Sequence, residues 1–226
     1  MLKKIYNKLH IIHNIYIKHK HFIEKKSYSQ DGEDLFVTKY FKDKYLGFYV
    51  DVGCHNPIYL NNTYLLHKKK WRGINIDTNL FSIDLFNHLR PYDLNFHCAI
   101  SNKNKNIKFY YQKEFSLLNT IEIKHAKKFM QDNIKEKTVK AFTLDTILQK
   151  SIYKNSEIDF LDIGVEGADL KVLEGLSFHK FHPKLICIEM HDKNIEQNKI
   201  YKFLVDKKYE LIWSGVFSHI FKRLRD

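Results

Sequence analysis

Gly47-Phe48-Tyr49-Val50-Asp51-Val52-Gly53 is an apolar run that closes on a carboxylate and a glycine. Such a run reads as a buried strand, and a glycine directly after it lets a ligand approach the backbone closely. Outward along the chain, Gly73-Ile74-Asn75-Ile76-Asp77 repeats the pattern, with Asp77 placed 26 residues after Asp51. An acidic side chain at the end of a second strand accepts both hydroxyls of a ribose, and a spacing of roughly 20 residues is usual for dinucleotide folds. Taken singly, Gly53 is also an ordinary turn glycine and Asp77 an ordinary helix cap. In register, Asp51, Gly53 and Asp77 point to an adenosine-containing cofactor. The chain lacks a GxGxxG in this turn, which makes a nicotinamide dinucleotide a poor match.

Apolar runs continue beyond these two, at Leu94 to Ile100, Ile158 to Ile163, Lys184 to Glu189 and Tyr209 to Trp213. Helical patterns separate them, over Gly32 to Phe41, Asn62 to Lys69, Leu80 to Leu89, Leu144 to Gln149, Asp169 to Leu176 and Asn194 to Lys207. Strands alternating with helices predict an α/β fold with a mostly parallel sheet covered on both faces. The final β-rich run after Ser214-Gly215 predicts an antiparallel C-terminal strand. Residues 102–140 are the least legible, and 115–133 read as a substrate-side insertion.

In such sheets ligands bind beyond the carboxyl ends of the strands. Ala99-Ile100-Ser101 ends the third run and places Ser101 near an adenine ring. The fourth run leads into Gly164-Val165-Glu166-Gly167 and the fifth into Glu189-Met190-His191-Asp192. Glu166, Glu189 and His191 are candidate catalytic residues over one crevice. A histidine with a pKa near 6.5 suits a general base at neutral pH, and carboxylates with a histidine are also ordinary ligands of a divalent ion. Each residue alone reads equally well as a cap or a loop polar group.

With these residues in view, the chain resembles the FkbM-type family of S-adenosylmethionine-dependent methyltransferases. The resemblance rests on Tyr28-Ser29-Gln30-Asp31-Gly32-Glu33-Asp34, the run 47–53, Asn62-Thr63-Tyr64-Leu65-Leu66 and Trp71-Arg72-Gly73-Ile74-Asn75-Ile76-Asp77. It continues through Ala99-Ile100-Ser101, Thr143-Leu144-Asp145, Val165-Glu166-Gly167 and Pro183 to Glu189, covering roughly residues 27–222. It implies a Rossmann-like methyltransferase fold and O-methylation, commonly of a sugar hydroxyl in surface polysaccharides or of natural products. It places Gln30, Glu33, Asp51, Gly53 and Asn62 at the amino-acid end of the cofactor, Asp77 on the ribose and Ser101 by the adenine. One position departs: the family's Asp-Val-Glu-Gly is Gly164-Val165-Glu166-Gly167 here. That loss weakens a metal-assisted reading, so no metal is expected, and it shifts the base to His191. It also leaves as an alternative a lapsed enzyme kept as a binding module.

Composition sets the outer bounds. With 226 residues, 44% of them hydrophobic, the chain suits one domain with a short appendage. Cys54, Cys98 and Cys187 are far apart and predict reduced core thiols, as in a cytoplasmic protein. The net charge of +12 raises nucleic acid as a partner, but 34 of the 38 basic residues are Lys and only Arg72, Arg90, Arg223 and Arg225 are Arg. Arginine is the usual residue of base and phosphate recognition, so no nucleic acid is expected. A lysine-rich exterior suits a sugar carried on a nucleotide or lipid diphosphate instead. Residues 1–26 stand apart from the catalytic domain of 27–226: seven Lys and one Glu give them +6, with His10, His13, His19 and His21 alongside. Leu2, Ile5, Tyr6, Leu9, Ile12 and Tyr16 fall near helical spacing, which predicts a basic amphipathic helix. Such a helix either packs on its own domain or on a second copy in a homodimer, the favoured reading, or touches an anionic membrane face from the cytoplasm.

Overall fold

The structure is a computed structural model and describes residues 2–20, 25–130, 133–192 and 194–224. Arg225, His21 and parts of the predicted N-terminal helix fall outside them. A seven-stranded sheet forms the centre of the molecule. It is built from β1 (Phe48–Val52), β2 (Arg72–Asp77), β3 (Leu94–His97), β7 (Phe160–Ile163), β8 (Leu185–Glu189), β9 (Tyr209–Ser214) and β10 (Ser218–Arg223). Their order is β3-β2-β1-β7-β8-β10-β9. All neighbours run parallel except β10, which is antiparallel to β8 and β9. The predicted Rossmann-like sheet with an antiparallel C-terminal strand is what the chain forms.

Every residue of β1 is buried, as a central strand covered on both faces requires. Successive side chains alternate between faces. Val50, Val52, Ile74, Ile76, Leu161, Ile163, Ile186 and Ile188 fill one layer, while Tyr49, Phe160, Leu185 and Cys187 pack the other against Val37, Phe41 and Trp71. The covering helices include α2 (Glu33–Tyr40), α3 (Tyr64–Lys68), α4 (Leu80–Leu89), α6 (Leu144–Lys150), α7 (Asp169–Glu174) and α8 (Lys199–Asp206). Asn79, Thr143 and Asn198 cap α4, α6 and α8 through side-chain oxygens that accept from backbone N–H groups.

Two predicted elements are divided. The run 94–100 is two strands, because β2 ends at Asp77 and His97 is the last residue it can pair. Cys98 marks the departure, and β4 (Ala99–Ile100) pairs instead with β6 (Lys135–Phe142) in a separate three-stranded sheet, β4-β6-β5, with β5 at Lys105–Tyr111. The helix predicted over 194–207 breaks at Asn198, whose extended backbone (φ −63°, ψ 141°) separates a 3₁₀ turn, Ile195–Gln197, from α8.

The illegible stretch 102–140 holds β5, β6 and, between them, α5 (Ile123–Phe129). At the N-terminal end, α1 (Leu2–Ile12) continues into a π-helical stretch, His13–Lys18, and lies on its own domain. Ile15 packs with Tyr28, Ile58 and Leu85, and the His10 ring stacks on Phe81 at 4.4 Å. The stripe that periodicity singled out is not the docking face: Ile5, Tyr6, Leu9 and Tyr16 are exposed, while Asn14 and Ile15 are buried. The helix docks through rings and an asparagine that complement the α4 surface. Asn7 Nδ2 donates to Asp84 Oδ2 there at 3.2 Å.

Candidate functional site

A cleft opens at the carboxyl ends of β1, β2, β7 and β8, where the strand order reverses between β1 and β7. Gly53, Asp77, Asp162, Gly164, Glu166 and Glu189 line its floor, and Gln30, Glu33 and Asn62 one wall. Ser116, Leu117, Asn119, Thr120 and Ile121, from the β5–α5 connection, roof it.

Gly53 is fixed by geometry. Its φ is +86°, and a Cβ there would lie 1.9 Å from the Gly164 carbonyl oxygen. The strand ends are drawn together by Gly53 N–H donating to Ile76 O (2.9 Å) and Gly164 N–H to Val52 O (3.0 Å). Gly164 itself is unconstrained, since a Cβ would meet only the Glu189 carboxyl, at 3.8 Å. The position where the resemblance implies a carboxylate is therefore open space facing one.

Asp77 is held at the end of β2 by two backbone donors, His55 N–H to Oδ2 at 2.9 Å and Asn79 N–H to Oδ1 at 2.7 Å. Each oxygen keeps a second lone pair for a ligand hydroxyl. Beside it, Ile76, Cys98, Ala99 and Ile100 form an apolar slot. On the opposite wall, Asp34 accepts from Tyr28 N–H (2.7 Å), Ser27 Oγ (2.7 Å) and Ser29 Oγ (2.8 Å). This knot at the start of α2 holds Gln30 and Glu33 toward the cleft, and Asp31 N–H donates to Glu33 Oε2 at 2.8 Å.

Asp51 and Ser101 do not line the cleft. Asp51 lies behind its wall, where Thr63 Oγ1 (2.8 Å) and Asn61 Nδ2 (3.2 Å) donate to its Oδ2. Burial lifts its carboxyl to about 6 against the pull of the Arg90 guanidinium. Arg90, fully buried, donates to Tyr49, Thr63, Pro57 and Asn61 and ties the loop after β1 to α4. A lysine keeps the charge but not the planar fork. Arg90→Lys is expected to cost about 2 kcal/mol by leaving buried acceptors unpaired, measured as a lowered urea midpoint. Ser101 turns away because β4 has left the main sheet: its N–H donates to Phe142 O, and its carbonyl packs against Gly175.

Among the described residues no Lys or Arg lines the cleft, although the chain as a whole is strongly basic. Glu33, Asp77, Asp162, Glu166 and Glu189 crowd five carboxyl groups into it, and burial lifts Asp162 and Asp77 above the usual carboxylate range. Burial lifts Glu166 to about 7, with Asp169 adding to the shift. Burial, with Glu166, Asp169, Asp162 and Glu33 adding to it, lifts Glu189 to about 8. Glu166 has a left-handed backbone (φ 52°), and its carbonyl accepts from Thr120 Oγ1 at 2.7 Å. Conformations of this kind cluster where a side chain must be aimed.

The structure thus brings Glu166 and Glu189 together and sets His191 at the rim. Its Nε2 stands 3.9 Å from Glu189 Oε2, with the side chain 40% exposed. Another histidine stands closer. His125 Nε2 of α5 is 2.9 Å from Glu166 Oε2, and burial lowers its pKa. It belongs to the stretch without readable periodicity, so only the fold reveals it. Among the described residues no group of three or more His, Cys, Asp or Glu is arranged to hold a metal. Cys54, Cys98 and Cys187 are buried free thiols.

An adenosine-containing sulfonium cofactor fits these residues. Asp77 offers ribose acceptors, the Ile76–Cys98–Ile100 slot an apolar seat for the base, and the clustered carboxyl groups face no opposing Lys or Arg among the described residues. No curated protein matches the chain. Residues 51–222 match the methyltransferase FkbM domain.

Proposed function

The chain belongs to the FkbM methyltransferase family, and from that premise we propose that it is an S-adenosylmethionine-dependent O-methyltransferase acting on a sugar hydroxyl. The observation that carries this reading is the acidic cleft at the switch point, free of Lys and Arg among the described residues, with Asp77 cradled beyond Gly53. When bound, the cofactor supplies a methyl group already made electrophilic by its sulfonium. Asp77 takes the ribose hydroxyls, the Ile76–Cys98–Ile100 slot the adenine, and Gln30, Glu33 and Asn62 the amino-acid end.

The chain's own task is to hold the acceptor hydroxyl, exclude water and remove one proton. The roof formed within residues 116–121 limits the access of water. Glu166 and Glu189 titrate near neutrality as a mutually repelling pair, and the ionised member takes the hydroxyl proton. His125 beside Glu166 and His191 beside Glu189 position the two carboxylates. This assigns the base to the carboxylates in place of His191, which stands outside the cleft lining. Because no described lysine lines the cleft, a diphosphate on the substrate stays at the lysine-rich exterior while the neutral sugar enters.

A second reading follows from Gly164: a methyltransferase fold kept for binding alone. Calorimetric titration with S-adenosylhomocysteine, with NAD⁺ in parallel, separates the readings. Micromolar binding of the first and none of the second is expected, followed by methyl transfer to nucleotide sugars. Absence of S-adenosylhomocysteine binding would overturn the enzyme reading, and binding without transfer to any glycan acceptor would support the lapsed one.

A further inference from the structure

The N-terminal helix packs by one face and leaves an apolar stripe on the other. Ile15 is 1% exposed against Tyr28, Ile58 and Leu85, and His10 and Asn7 engage Phe81 and Asp84. On the outer side, Ile5 is 49% exposed, Leu9 60% and Ile17 57%, with Tyr6 and Tyr16 also in solvent. Ile5 and Leu9 stand one turn apart on a single face, and Tyr16 and Ile17 extend the stripe into the π-helical stretch. Single exposed aliphatic residues are ordinary, but a continuous stripe along one helix marks a surface that is covered in use.

Charge decides what covers it. Residues 1–26 carry seven Lys and one Glu, and Lys8, Lys18 and Lys20 are exposed along the helix. Two copies packed through this stripe would set like charges side by side, whereas an anionic surface is complementary to them. Aliphatic residues flanked by tyrosines and lysines suit the boundary between headgroups and acyl chains. No described helix is long and apolar enough to cross a membrane, so the contact lies in the plane of the surface.

We propose that the Ile5–Leu9–Ile17 stripe docks the protein on an anionic phospholipid bilayer, its lysines toward the headgroups. The Lys18 ammonium lies 6.0 Å from the centre of the Phe115 ring, which stacks on His55 beneath the cleft roof at 4.3 Å. The C-terminal end of the docking helix therefore adjoins the segment that roofs the cleft.

The test is co-sedimentation of the full chain with vesicles of equimolar phosphatidylcholine and phosphatidylglycerol, and with phosphatidylcholine alone. Binding to the anionic vesicles is expected, lost at high salt and weakened at least about tenfold in a variant combining Ile5→Glu, Leu9→Glu and Ile17→Glu. These side chains lie outside the core, so the variant should keep its melting temperature and its affinity for S-adenosylhomocysteine. Absence of binding to the anionic vesicles, or binding that the triple variant retains, would overturn the proposal. So would a dimer, seen by sedimentation equilibrium without lipid, that the triple variant dissolves; the stripe would then be a subunit interface.

Discussion

Gly53→Ala is expected to lower the affinity for S-adenosylhomocysteine by more than about a hundredfold and to destabilise the fold by about 2–5 kcal/mol. The added methyl group would fall 1.9 Å from the Gly164 oxygen and 2.8 Å from its carbonyl carbon, both backbone atoms that cannot rotate aside. A left-handed backbone adds its own cost for any L side chain. Relief requires the ends of β1 and β7 to separate, and that seam is the floor of the cleft. Gly164→Ala is the control, because its methyl group meets nothing nearer than 3.8 Å. It should bind the ligand as the parent does and melt within about 2 °C of it. Calorimetry of both variants, with circular dichroism to confirm folding, decides the matter. Unchanged binding in Gly53→Ala would remove this glycine from the cofactor seat.

Glu166→Gln, which removes the more acidic member of the pair, is expected to lower kcat by about 10²- to 10⁴-fold, whereas Glu189→Gln is expected, at pH 8, to raise stability. Burial and the surrounding carboxylates lift the Glu189 pKa from 4.5 to about 8 in the folded protein. Its protonated form is thus the one the fold favours. The stabilisation this gives is complete below the unfolded pKa and is lost as pH rises from about 4.5 toward 8. Glutamine imitates the protonated carboxyl at every pH. The variant should therefore match the parent near pH 4.5 and exceed it at pH 8, by on the order of 2 kcal/mol, or about 4–8 °C in Tm for a chain of this size. Catalysis moves the opposite way, since a base works only when ionised. The parental rate should rise with pH through the range of about 7 to 8 set by Glu166 and Glu189. His191→Ala should lower the rate far less, because its ring stands at the rim. A full loss in His191→Ala with near-normal turnover in Glu166→Gln would return the base to the histidine.

The two predictions describe a site whose chemistry works against its fold. Carboxylates gathered with no lining cation among the described residues cost stability as they ionise, and such a cluster suits a site that needs both a cationic ligand and a proton acceptor.

How much of this was legible beforehand depends on the range of the interaction. Local pattern determined the strands, the helices between them and the residues that close each strand, because side-chain alternation and end-of-strand glycine are properties of neighbouring residues. Gly53, Asp77, Glu166 and Glu189 were readable for that reason, and so was Gly164 as a departure. Pairing partners are not local. Ser101 left the cleft because β2 ends at Asp77 and obliges the chain to join a second sheet, and Asp51 turned behind the wall because Arg90, Asn61 and Thr63 enclose it. His125 reached Glu166 across a stretch with no periodicity of its own. The N-terminal helix was readable as a helix, but the face it presents to solvent was set by the rings of α4 that it docks on. The sequence by itself determined which residues stand at the ends of the strands. The tertiary structure decided which of them share one cleft, because that depends on contacts between segments far apart in the chain.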